Sequence, residues 1–481
     1  MTTYFHSVTL DAEKCKGCTN CIKRCPTEAI RVRGGKAAII EERCVDCGEC
    51  IRICPNHAKI AVTDTLERIH AFKKRIALPA PALFGQFDED VPPDAIIQAL
   101  RDIGFDEVYE VAAGAEAVTV GSREFMKQNR LRKPWISSAC PAAVRLMQVR
   151  FPSLLEYIMP VESPMEISAR LARKAFSRAG LKVGEGDVGT FFISPCPAKV
   201  TAVKQPVGED VSAVDGTIAI SLIYPEILKR VSKMKGVSGL RRASRVGYSW
   251  GRSGGEALAI APGKMLAVDG IHSCITVLEE IERGRLADVE YIELQACVGG
   301  CIGGCLTVLN PFVARVRLRS LVERLGGEPM AVDENWAAGA AAEGFFSLRS
   351  EIRPRSVMAL DSDVTKAISK MQALEETLKG LPGLDCGSCG SPSCRALAED
   401  IVRGTAAETD CTFKLRERVQ VLAEQVVDLA RRLPPPMAAG QHTPGATQGA
   451  AQADAGGAGG GSDPGNAGGN AGDPGKVKGA K

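Results

Sequence analysis

Cys15, Cys18 and Cys21 stand three residues apart and are followed by Cys25-Pro26; the same arrangement returns at Cys44, Cys47, Cys50 and Cys54-Pro55. Three thiolates at that pitch wrap a tight loop around one cube of iron and sulfide, with backbone amides turned toward the sulfurs. One loop does not close such a site, which needs a fourth thiolate from elsewhere. Zinc competes as the metal, but its sites are usually built from two separated pairs of ligands. A four-cysteine run that is duplicated and twice ends in Cys-Pro points instead to iron–sulfur chemistry, and so to electron transfer.

The duplicated run resembles the bacterial two-cluster ferredoxins, in which the fourth cysteine of each run reaches across to the other cluster. That resemblance implies one [4Fe-4S] cluster on Cys15, Cys18, Cys21 and Cys54 and another on Cys44, Cys47, Cys50 and Cys25. A further set, Cys386, Cys389, Cys394 and Cys411, lies near the other end of the chain. Its glycines let the backbone curl closely around a metal centre. Four thiolates suit zinc as well as iron, and we take this set as a further [4Fe-4S] site.

The rest of the composition narrows the class. A chain of 481 residues that is 45% hydrophobic has the length for about three domains with large cores. A net charge of +3 with no basic stripe excludes nucleic acid as a dominant partner. The start, MTTYFHSVTLDAEKCKGC, has no apolar core behind a basic flank, and no run of 18 apolar residues occurs, so no membrane span is expected. Metal-spaced cysteines without an export signal imply a reducing, cytoplasmic setting.

These cysteines must be positioned by their surroundings. Residues 1–62 form the duplicated ferredoxin-type unit, an α+β domain. From 75 to 355, β-rich runs (VGTFFISP, GTIAISL, VEYIELQA) alternate with helical stretches such as PDAIIQALRDIGF and SPMEISARLARKAFSRAG, which argues for parallel α/β layers. Cys140, Cys196 and Cys297 each follow such a run, where open α/β sheets place their ligands. A small helical domain covers 361–412. Its first helix, about Asp361 to Lys379, carries Val364, Ile368, Met371, Leu374 and Leu378 in the rhythm of a buried face. In 413–433, Leu415, Val419, Leu422, Val426, Leu429 and Leu433 alternate by four and three, either the seam of a coiled coil that would permit a dimer or seat a signalling partner, or the stripe of an amphipathic helix packed on the protein. Pro434, Pro435 and Pro436 end that helix, and the Gly/Ala-rich stretch 434–481 is expected to be disordered.

The segments SSACPAAVRL, SPCPAK and ELQACVGGC resemble the three signature motifs of [FeFe] (iron-only) hydrogenases, and the likeness spans about 75–355. GFDEVYEVAAGAE and SWGRSGGEA look like further family segments. The resemblance implies a two-lobed α/β core in which Cys140, Cys196, Cys297 and Cys301 hold a cubane. It further implies that Cys301 bridges to a di-iron unit carrying carbon monoxide, cyanide and a dithiolate, the whole being the H-cluster. Lys199 matches the family lysine that hydrogen-bonds a cyanide, a task suited to a compact ammonium. Substrates would be hydrogen and protons, and partners a ferredoxin or similar redox protein and the hydrogenase maturation factors.

The departures from the pattern bear on activity. Where hydrogen-producing members carry a proton-relaying cysteine before the first ligand, this chain has Ala139; where they have a glutamate three residues past the lysine, it has Ala202. Ser194 replaces a methionine, and GGCLTVLNP puts Cys305 into a glycine run. Proton transfer needs acid/base groups within hydrogen-bond reach at every hop, so turnover is expected to be weak, if any. The domain order resembles that of sensory [FeFe] hydrogenases and implies a slow hydrogen or redox sensor. The alternative is an iron–sulfur carrier or assembly protein that never receives the di-iron unit. A catalytic enzyme with its proton path rerouted through Cys305 is a third reading. Cys274, outside every set, reads as an ordinary buried thiol.

Overall fold

The computed structural model describes residues 5–129, 134–178, 187–234, 236–260 and 263–432. The expected proline stop, Leu433 and the 434–481 stretch lie outside the described residues.

The N-terminal unit is built from two antiparallel pairs. Strand β1 (Val8–Leu10) pairs with β4 (Lys59–Ala61), and β2 (Ile30–Arg33) pairs with β3 (Lys36–Ile39). The two cysteine runs fill the space between, each passing through a one-turn helix, Asn20–Arg24 and Glu49–Arg52.

The middle segment carries two parallel sheets. In one, β5 (Lys74–Pro79) lies between β6 (Glu107–Val108) and β8 (Val188–Ser194), with β9 (Gly216–Ala219) outside β8. In the other, β11 (Tyr291–Gln295) lies between β7 (Trp135–Ile136) and β10 (Met265–Asp269). Every residue of β8 and β11 is buried, as expected of parallel strands covered on both faces. The run GTIAISL yields a strand only as far as Ala219. From Ile220 the chain is helical to Val231, burying Ile220, Ile223 and Ile227 at helical spacing against the same core.

Helix Val111–Gln128 is gripped from two sides. A Cβ on Gly114 would lie 2.0 Å from Ser168 Oγ on helix Pro164–Arg178, and one on Gly247 would lie 2.1 Å from the Ala112 carbonyl oxygen. Glycine at both crossings lets the backbones approach closely.

In the C-terminal part, Asp363 caps helix Val364–Gly380 by accepting from Lys366 N at 3.0 Å. The expected buried face of this helix is largely absent: Leu374 is buried and Leu378 packs partly, whereas Val364, Ile368 and Met371 are exposed. The helix packs chiefly on a partner of only nine residues, Cys394–Val402, which covers one end of its apolar stripe. Helix Thr412–Arg432 exposes Leu415, Val419, Leu422, Val426 and Leu429. No helix among the described residues is long and apolar enough to cross a membrane.

Candidate metal centre and cluster sites

The carboxyl ends of β5, β7, β8 and β11 converge on one cavity of about 90 Å³, lined by Cys140, Cys196, Cys297 and Cys301 together with Lys199, Ala139 and Glu256. Four cysteines separated by more than 150 residues of chain thus meet. Cys140 and Cys196 are the N-caps of helices Pro141–Arg150 and Pro197–Lys204, each with proline at the first helical position. A helix N-terminus favours negative charge, here a thiolate's. Ser194 Oγ donates to the Cys196 carbonyl (2.8 Å) and accepts from its N–H (3.2 Å), so Ser194 pins the loop that carries Cys196.

Cys297 leaves β11 and Cys301 opens a short turn, Cys301–Gly303. Between them Gly299 and Gly300 take φ values of +82° and +94°. A Cβ at Gly300 would lie 2.3 Å from Gln295 Oε1 and 2.5 Å from Ser253 N, so nothing larger fits.

The donor set fits an iron–sulfur group. Burial, then the neighbouring sulfurs, push the thiols of Cys196 and Cys301 well up, and burial raises Cys297 against the opposing charge of Arg52. Soft thiolates converging in a buried space suit iron–sulfur chemistry rather than a hard cation. The positive charge of such a centre removes the cost of ionising them together.

A second cavity of about 50 Å³ adjoins the first, sharing Ala139 and Lys199 and adding Ala202, Ser138, Glu162 and Glu166. Ala139 and Ala202 therefore line one chamber with these two carboxyls. Burial, reinforced by the nearby Glu166 carboxylate, pushes Glu162 up to about 7.

Buried carboxyls were not legible in the sequence. Glu256 lines the main cavity, accepting from Ser137 Oγ and Tyr291 Oη at 2.6 Å each, and burial pushes it up. Glu293, fully buried on β11, accepts from Gly254 N (3.0 Å) and Ala257 N (2.8 Å); burial and the Glu256 carboxylate push it up to about 8. The signal was present in SWGRSGGEA and VEYIELQ, yet an acid in an apolar strand announces itself only once its covering layer is known.

These raised carboxyls fix the sign of a pH effect. Folded Glu293 keeps its proton up to about pH 8, whereas the unfolded side chain releases it near 4.5. The stability it contributes is full below the lower value and falls as pH rises toward the higher one, by roughly 1.4 kcal/mol per pH unit for one group. Glu293→Gln is expected to flatten the loss of thermal stability between pH 5 and 8. A variant whose Tm falls with pH as steeply as the parent's would refute this.

In the N-terminal unit, one cavity is lined by Cys15, Cys18, Cys21 and Cys54, and another by Cys25, Cys44, Cys47 and Cys50. Buried Lys59 lines the first of them. Farther along, Cys389, Cys394 and Cys411 pack together with Leu397, and Cys386 stands exposed on the same loop. Cys274 is fully buried and donates its S–H to the Gln295 carbonyl at 3.6 Å. Cys305 faces the N-terminal unit, where a Cβ on Gly48 would lie 2.5 Å from its sulfur.

Residues 73–229 and 231–305, which contain this cavity, match the family model described as iron only hydrogenase large subunit, C-terminal domain. These residues belong to the [FeFe] hydrogenase large-subunit family. A 4Fe-4S dicluster domain matches residues 7–55 and an Fe-S cluster family matches 381–413, so this family member is an iron–sulfur protein. It is 32% identical over 214 residues to the periplasmic [Fe] hydrogenase large subunit of Nitratidesulfovibrio vulgaris, covering 40% of this chain and 50% of that protein. Over 53 residues it is 47% identical to a component of the ion-translocating oxidoreductase complex of Rhodobacter capsulatus, 11% of this chain and 28% of that one. The chain spans about half the length, or less, of these curated relatives. Among solved structures, a variant of [FeFe]-hydrogenase HydA1 from Chlamydomonas reinhardtii aligns with a TM-score of 0.48 and 15% identity, over 61% of this chain and 98% of that one.

Proposed function

We propose that the protein is a low-turnover hydrogen- or redox-sensing member of its family. In this reading Cys140, Cys196, Cys297 and Cys301 hold a cubane, Cys301 also carries the di-iron unit of an H-cluster, and the other cysteine sets hold [4Fe-4S] clusters. The observation that carries it is one cavity with four cysteines and Lys199, beside which both relay positions are alanine. When bound, the H-cluster supplies the interconversion of hydrogen with two protons and two electrons.

The chain's own residues set the rate. Lys199 offers a mobile ammonium to a small anion at the boundary of the two cavities. Ala139 and Ala202 have no exchangeable proton, so a proton leaving the site crosses the chamber by way of water toward Glu162 and Glu166, which slows each turnover. Glu256 is fixed at the cavity wall by Ser137 and Tyr291, which both donate to its Oε1. Electrons leave through cysteine-bearing segments that touch in series. The Cys44–Cys54 run abuts the middle segment at Cys305, and the 381–413 segment abuts the Cys15–Cys25 run, where Gly387 lies against Lys23 and Ile22.

Protein matured anaerobically with hydrogenase maturation factors tests the reading. Infrared bands of carbonyl and cyanide ligands are expected, shifting under hydrogen, with evolution rates well below those of relay-intact relatives. An empty spectrum in protein that retains its cubanes would overturn the H-cluster and leave an electron carrier. Fast turnover would overturn the sensor.

A further inference from the structure

The two cysteine runs of the N-terminal unit are related by duplication, and the cation two residues past the third cysteine is kept in both: Lys23 after Cys21, Arg52 after Cys50. The fold sends these equivalent side chains in different directions. Each crosses a domain boundary to the cysteine-bearing segment that flanks its own half.

Arg52 ends helix Glu49–Arg52 and reaches the loop that carries Cys297 and Cys301. Its Nη2 donates to the Gly303 carbonyl at 3.0 Å and its Nη1 to Glu49 Oε1 at 2.6 Å, which holds the cation beside the Cys297–Cys301 loop. The contact beside it is close, since Gly48 (φ +77°) leaves no room for a Cβ against Cys305. Lys23 donates to the carbonyls of Asp385, next to Cys386, and Pro392 (3.4 Å), with its stem against Gly387. Duplication explains two cations, but it does not explain why both are aimed at neighbouring cluster loops.

We infer that Arg52 and Lys23 are positioning residues at two electron junctions, each raising the reduction potential of the cluster in the adjoining segment: the Cys297-ligated cubane for Arg52, the Cys386-ligated cluster for Lys23. Reduction adds an electron to a cluster without changing its ligands. A fixed cation beside a cluster loop stabilises the more negative, reduced form. Arg52 acts more strongly, because its fork is pinned between the loop carbonyl and Glu49 whereas an ammonium is a point charge. Glu49 partly neutralises it. The assignment rests on the cubanes of the proposed function and not on its di-iron unit.

The test is an EPR-monitored redox titration of anaerobically reconstituted protein carrying cubanes alone, with signals assigned by difference against Cys297→Ser and Cys386→Ser. Arg52→Met is expected to lower the midpoint of the Cys297-ligated cubane by a factor of about ten in the reduction equilibrium, about 59 mV for one electron. It should leave the Cys386-ligated cluster unmoved, and Lys23→Met should do the reverse. Arg52→Lys should recover part of the shift, and Glu49→Gln should move the cubane upward. An unmoved cubane in cluster-replete Arg52→Met would overturn the inference. Should that variant fail to load its cluster, an unmoved midpoint in Glu49→Gln would overturn it equally. An empty infrared spectrum of matured protein leaves this titration unaffected, so the two proposals fail separately.

Discussion

Asp400→Ala will loosen residues 381–413 from the N-terminal unit, at a cost of about 3–5 kcal/mol to that contact. Asp400 Oδ2 accepts from Arg31 Nε (2.6 Å) and Arg33 Nη2 (3.1 Å), and its Oδ1 accepts from Arg31 Nη2 (3.0 Å). Both Arg31 and Asp400 are buried. Removing the carboxylate leaves Arg31 two backbone acceptors, Glu28 O and Ile30 O, but no countercharge in a dry interface. The neighbouring pair, Arg43 with Glu399, does not reach it. The change should appear as faster amide exchange at Val32, whose N–H donates to the Gly390 carbonyl at 2.8 Å, and across 381–413, with the parallel sheets unaffected. Unchanged exchange at Val32 would mean that the ion pairs do not hold this contact. Asp400→Asn should fall between, since it keeps one acceptor and loses the charge.

Gly114→Val should be at least as damaging, but in the middle segment. Its Cβ would sit 2.0 Å from Ser168 Oγ and 2.8 Å from the Pro164 carbonyl oxygen. The serine hydroxyl can rotate away, at the loss of its 2.7 Å bond to Pro164, whereas the carbonyl belongs to a helix start and cannot. Helix Pro164–Arg178 must then retreat from Val111–Gln128, taking Met165 from the cysteine-lined cavity and Glu166 from the chamber beside it. A loss of about 3 kcal/mol or more is expected, at the upper end for overpacked cores. Iron bound per chain should fall by the share of the middle segment while that of the N-terminal unit is retained. A Tm within error of the parent's would show that the crossing has slack. Gly114→Ala should err in the same direction by less.

Where chemistry was local, it was legible. A chelating loop needs its cysteines at fixed short spacing, so the runs at 15–25, 44–54 and 386–394 could be read from residue types alone. The same holds for β8 and β11, β-rich runs that could be placed just ahead of Cys196 and Cys297. The helix at Val364–Gly380 marks the limit of such reading: its periodicity was real, but periodicity cannot say how long a partner will be offered.

Tertiary structure alone decided which distant groups face one another. It carried Ala139 and Ala202 to one chamber and set Glu256 among Ser137 and Tyr291. It docked the 381–413 segment on the N-terminal unit, some 350 residues earlier in the chain, and sent Lys23 and Arg52 to different neighbours. Spacing along a chain fixes geometry over one loop, a few bond lengths in which the backbone has little freedom. Beyond that, position depends on which apolar surfaces find each other, and a pair such as Arg31 and Asp400 becomes visible only when packing has removed the water between them.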